Sequence, residues 1–218
     1  MKLVRLGTRA VAVTAAALLA TAVAAAPASA TGKPTPKGNK SLAAVLTADK
    51  SGFDRNSKDF DILTAAVQAV LKAKPNSPVK VLADGKTPLT AFVPTDAAFQ
   101  RLVADLKGTH HWTSEKQAFT AVAGLGIDTV EAVLLYHVIP GATIDKAAAL
   151  KSNGAKLKTA AGATIQVCVD GHWKNKTIRL VDADWNDRDP RVVVADINKG
   201  NKQIAHAIDR VLRPSDLP

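Results

Sequence analysis

The chain has 218 residues, a formal net charge of +10 and one cysteine. The lone Cys168 excludes a disulfide within the chain, so stability has to come from packing. Aromatic residues make up only 4% of the sequence, which leaves few stacking platforms and argues against a nucleic-acid partner despite the basic charge.

The first thirty residues read "MKLVRLGTRAVAVTAAALLATAVAAAPASA". Lys2, Arg5 and Arg9 form a positive head, an Ala/Val/Leu stretch follows, and Ala28-Ser29-Ala30 supplies small residues for cleavage. This pattern predicts a secretory signal peptide over residues 1–30. The apolar core, roughly 15 residues, falls short of the roughly 20 that a span needs, so a membrane-spanning protein is not expected. Arg5 and Arg9 are not adjacent, and no cysteine follows for a lipid anchor. The expected location is extracellular, wall association included. The lysines run from Lys33 to Lys202 without a block, which predicts a solvated basic surface. Attraction to anionic wall polymer or lipid headgroups is the sharper alternative.

Residues 31–40, "TGKPTPKGNK", read as a flexible basic tether, with one domain over 41–218. "SLAAVL" predicts a short helix capped by Ser41. "DFDILTAAVQAVLKAKP" places Ile62, Leu63, Ala66, Val67, Val70 and Leu71 on one helical face, ended by Pro75 and Pro78. "PLTAFVP" is a short strand. A helix follows, with Thr95 or Asp96 as cap and Gly108 past its end. "SEKQ" from Ser114 is a capping box, and Asp128 is read as the cap of the next helix, which carries Val130, Val133, Leu134 and Tyr136. After "HVIPG" the period changes. Asp145 begins a further helical turn, Asn153-Gly154 and Ala161-Gly162 mark turns, and four Val/Ile-rich strands end the chain. Helices first and strands last predict an α+β fold.

Three stretches in this order carry a family resemblance: "TAFVPTDAAFQRL" (90–102), "LLYHVIPG" (134–141) and "VVVADINKGNKQIAHAIDRVLRP" (192–214). They resemble a fasciclin (FAS1) domain, here in a bacterial, secreted, single-domain form. The resemblance implies a compact β-sandwich wedge with helices packed along one edge. It also implies adhesion or matrix contact at the cell surface, with protein or wall polymer as partner. The family assigns partner binding to the pair that stands here as Tyr136-His137, and implies that His137 reaches the polar residue of the first motif, Asp96. Tyr136, His137 and Asp96 are therefore the candidate binding residues. The apolar residues around His137 favour a buried strut over an exposed contact. Two segments depart from the family pattern: "KGTHHWTSEKQ" is extra, and the last hairpin, "NKGNKQIAH", is longer.

Catalytic chemistry finds little support. There is no Gly-x-Ser-x-Gly elbow, and Cys168 lies mid-strand in "TIQVCVD", opposite the face of Ile165, Val167 and Val169. His110, His111, His137, His172 and His206 form no His-Glu-x-x-His, so no zinc site is predicted. Asp182, Asp184 and Asn186 open like a calcium loop, but Asp187 replaces its glycine and Val193 its glutamate. The expectation is a non-enzymatic, monomeric binding module without cofactor or metal. The alternatives are an extracellular metal-dependent hydrolase built on that loop and the loop histidines, or a carrier of a small apolar ligand between helices and sheet.

Overall fold

A computed structural model describes residues 37–172 and 175–217. The predicted signal peptide lies outside them, as does most of the predicted tether. Gly38 to Lys40, read as the tether's end, are paired instead. The Gly38 N–H donates to the Gly200 carbonyl at 2.8 Å, and the Lys40 N–H donates to Asn201 Oδ1 at 3.0 Å.

Helix α1 (Leu42–Leu46) starts at Ser41, whose hydroxyl accepts the Ala44 N–H. Helix α2 (Asp61–Ala73) buries Ile62, Leu63, Ala66, Val67 and Val70 and half-buries Leu71. Each fully buried aliphatic chain of this kind contributes roughly 1.5–3 kcal/mol. Pro78 does not end this helix as predicted. It opens a 3₁₀ turn, Pro78–Lys80, at a first position where no N–H is needed, and α3 (Val81–Asp84) continues from it.

Strand β1 (Leu89–Pro94) leads into α4 (Asp96–Leu106), capped by Thr95. The predicted capping box closes on α5 (Glu115–Gly124), with Ser114 and Gln117 bonding reciprocally. Helix α6 (Ile127–Tyr136) begins ahead of its predicted Asp128 cap. Gly126 holds the cap position at φ 88°, a left-handed backbone that glycine adopts without strain, and Asp128 lies in the first turn. Then come β2 (Val138–Pro140), α7 (Lys146–Ala149, capped by Asp145), β3 (Lys156–Lys158), β4 (Thr164–Asp170), β5 (Thr177–Val181), β6 (Val192–Ile197) and β7 (Gln203–Ile208).

Two sheets result, in the orders β2-β1-β7-β6 and β3-β4-β5. Pairing is antiparallel except between β1 and β7, which run parallel. β1 is buried on both faces. Leu89, Ala91 and Val93 pack with Ala205, Ala207 and the helices, whereas Phe92 packs with Ile165, Val167, Ile178 and Leu180 of the second sheet. The molecule is α+β, as the order of elements predicts, and its two sheets form the sandwich that the family resemblance implies, with one core under the helices and a second between the sheets. Among the described residues no single helix is long and apolar enough to cross a membrane.

Candidate functional site

Tyr136 ends α6 and is fully buried. Its hydroxyl donates to the Thr164 carbonyl at 3.2 Å, and burial pushes its pKa up to about 12. His137 follows, 4% exposed. Its Nδ1 lies 2.7 Å from the Val133 carbonyl, and its Nε2 lies 2.9 Å from the Leu212 N–H. A carbonyl only accepts and an amide N–H only donates, so Nδ1 carries the proton and the ring is neutral. Burial lowers its pKa to about 4. His137 thus ties α6 to the segment that leaves β7.

The predicted bond between His137 and Asp96 is not formed. Both ring nitrogens are occupied by backbone, and Asp96 serves another helix. Its carboxylate accepts the N–H groups of Asp61 at 3.1 Å and Ile62 at 2.9 Å. These are the first donors of α2, whose own cap residue, Phe60, offers no side-chain bond. Asp96 is therefore a cap supplied from 35 residues further along the chain.

The sequence reading missed what surrounds Asp96. Asp61, Asp96 and Glu115 are the first residues of α2, α4 and α5. Asp59, Asp96 and Glu115 bring one oxygen each within 4.8 Å of the others, and so do Asp54, Asp59 and Asp61. These are the groups, among the described residues, able to share one cation. Three helix N-termini favour negative charge here, whereas burial and mutual repulsion oppose it. Burial, then the neighbouring Asp59, raises the Asp96 carboxyl well above the usual carboxylate range. Asp61 rises to about 6, again by burial and then by Asp59. Asp59 Oδ1, buried in the same group, has no hydrogen-bond partner among the described residues.

The Asp-rich loop is not an open set of carboxylates. Arg213 reaches Asp184 at 3.1 Å, Asp187 at 3.1 Å and Asp105 at 3.3 Å. Arg179 holds Asp189 at 2.6 Å, and Asp182 accepts the Arg213 N–H at 2.8 Å. With arginines in the place of a cation, the loop gives a metal-dependent hydrolase no foundation. Among the described residues, the space between helices and sheet is also too small for a carried ligand. The apolar cavity beside His137 and Leu134 has a volume of about 20 Å³, whereas small-molecule sites occupy roughly 300–1,000 Å³. Cys168 is a half-buried free thiol on the outer face of β4, as its strand position predicts. The loop histidines His110, His111 and His172 are exposed, whereas His206 lies in β7 and is buried.

A family model described as the Fasciclin domain matches residues 61–214. The chain belongs to the fasciclin family. Fasciclin domains are adhesion modules that occur in extracellular or cell-surface proteins. Among solved structures, the chain is similar to a FAS1 domain pair from the insect cell adhesion molecule fasciclin I. Identity is 17% and the TM-score 0.44, over 67% of this chain and 45% of that one. The chain therefore spans under half the length of that pair. No curated protein matches it. Within this fasciclin domain the three candidate residues fall at two separate places. Tyr136 and His137 sit under the C-terminal segment, and Asp96 sits under the start of α2.

Proposed function

We propose that this fasciclin domain is a secreted, non-enzymatic binding module that joins cell-surface or matrix components, protein or wall polymer, as a monomer. The observation that carries the reading is the family match over residues 61–214. In this reading Tyr136, His137 and Asp96 serve binding from beneath the surface. His137 fixes the path of residues 211–213, Tyr136 fixes the start of β4, and Asp96 fixes the loop before α2.

The test is retention of the protein, without residues 1–30, on whole cells, wall fractions and immobilised matrix proteins. At least one fraction should retain it saturably. If none does, or if the protein turns over substrates on esterase, phosphatase or glycosidase panels, the reading is wrong.

A further inference from the structure

One cleft, of about 510 Å³ and within the size range of ligand sites, is lined mainly by arginine. Five arginines line it, delivered by four separate pieces of chain. Arg101 comes from α4, Arg179 from β5, Arg188 and Arg191 from the segment before β6, and Arg210 from the segment after β7. Two carboxylates, Asp189 and Asp209, share the lining. They do not balance it.

The arginines divide into two groups. Arg179 is held by Asp170 and Asp189, and Arg210 by Asp105 and Asp187. Those two form the wall. Arg191 has one long contact to Asp170, at 3.4 Å, and half its side chain is exposed. Arg101 donates to a carbonyl, that of Asp209, and has no carboxylate partner among the described residues. Arg188 is exposed and, among the described residues, has no ion pair. Guanidinium groups without carboxylate partners, in a recess, are a bidentate receptor for carboxylate, sulfate or phosphate.

The aromatic residues narrow the class. Arg101 lies 5.7 Å from the ring centre of Trp112, and that tryptophan is still 62% exposed. Trp185 sits 88% exposed on the loop that supplies Arg188. A large apolar ring held in water against an arginine of the cleft suits a ligand that alternates flat apolar faces with anionic groups. We propose that the arginine cleft binds an acidic polysaccharide. Arg101, Arg188 and Arg191 take its uronate, sulfate or phosphate groups, and Trp112 takes a sugar face. The recess favours a polymer strand over a flat lipid surface. This inference rests on the binding-module reading and supplies its partner class.

The experiment uses heparin and polygalacturonate as probes, in about 0.15 M salt, with neutral dextran as control. Binding to at least one acidic polymer, and none to dextran, is expected. Arg101→Gln/Arg188→Gln should weaken that binding about tenfold or more, with the melting midpoint of Arg188→Gln unchanged. If the double variant fails to fold, Arg188→Gln alone should still weaken binding severalfold. Lys72→Gln/Lys80→Gln removes the same charge from exposed positions outside the cleft and should leave binding nearly intact. Equal loss in both double variants would reduce the effect to net charge and overturn the site. Tighter binding to phosphatidylglycerol–phosphatidylcholine vesicles, or to a single-stranded oligodeoxynucleotide, would overturn the polysaccharide class. If wall or matrix retention persists in the arginine variants, the cleft is wrong and the binding-module reading stands. If the unaltered protein is retained by nothing, the binding-module reading itself has failed.

Discussion

His137 and Asp96 each settle backbone N–H groups that no neighbour in sequence could reach. His137→Ala orphans the Leu212 N–H, and Asp96→Ala orphans those of Asp61 and Ile62. Each change should cost roughly 1–3 kcal/mol in urea melts. The two side chains share no partner, so the double variant should lose the sum of the single losses within about 0.5 kcal/mol. Loss no larger than one single would show that they act as one pair. Proton linkage gives a second measurement. The folded pKa of His137, about 4, lies below the unfolded value of 6.5. Its contribution is therefore complete above about pH 6.5 and is lost as pH falls through that interval toward 4. The loss is of the order of 3 kcal/mol. The gap in stability between the protein and His137→Ala should accordingly narrow from pH 7 to pH 4.5. A constant gap would mean that the ring is charged or solvated. The Asp96 carboxyl, raised on folding, pulls the other way, since its burial favours the fold below about pH 4 and costs stability as pH rises through its folded value.

Among the elements, the segment 182–190 is held by a single residue at several points. Arg213 is 7% exposed and bonds three carboxylates, one of which, Asp184, is 3% exposed. Arg213→Ala leaves Asp184 buried without a counter-charge, at a cost of roughly 3–5 kcal/mol and about ten degrees in the melting midpoint. A shift below two degrees or so would show that water replaces the guanidinium freely. Elements were legible in the sequence where their causes are local. The caps at Ser41, Thr95, Ser114 and Asp145, and the apolar face of α2, need only a few consecutive residues to specify them. The strands β2 and β3, three residues each, carry too little pattern and exist because a partner strand pairs with them. The same distance effect hid the chemistry around the candidate residues. Asp96 reads as the start of its own helix but caps another, and the ring of His137 meets backbone 75 residues later. The gathering of Asp61, Asp96 and Glu115 depends on three helices meeting, which no spacing in the chain encodes.

At the scale of the whole molecule, the single thiol tests whether the domain works alone. Cys168 lies across from Arg179 on the half-buried outer face of β4. Freshly prepared protein should run as a monomer on non-reducing gels, and quantitative disulfide dimer would make this face an assembly point. The order of the large sheet has a further bearing. Strand β1 lies between β2 and β7, and it meets β7 over six residue pairs, from Leu89 with Gln203 to Pro94 with Ile208. The beginning of the described chain is fastened to the same late segment, with the Leu42 N–H donating to Gln203 Oε1 at 2.8 Å. During synthesis, then, the middle of the sheet has a gap until residue 208 has left the ribosome. A nascent chain cut short of that point lacks Ala205 and Ala207, which pack with β1 and the helices. Contacts so distant in sequence form slowly, because the ends of a long loop must first meet. Because β7 fills the place beside β1, the large sheet is completed only after every segment ahead of residue 203 has been made.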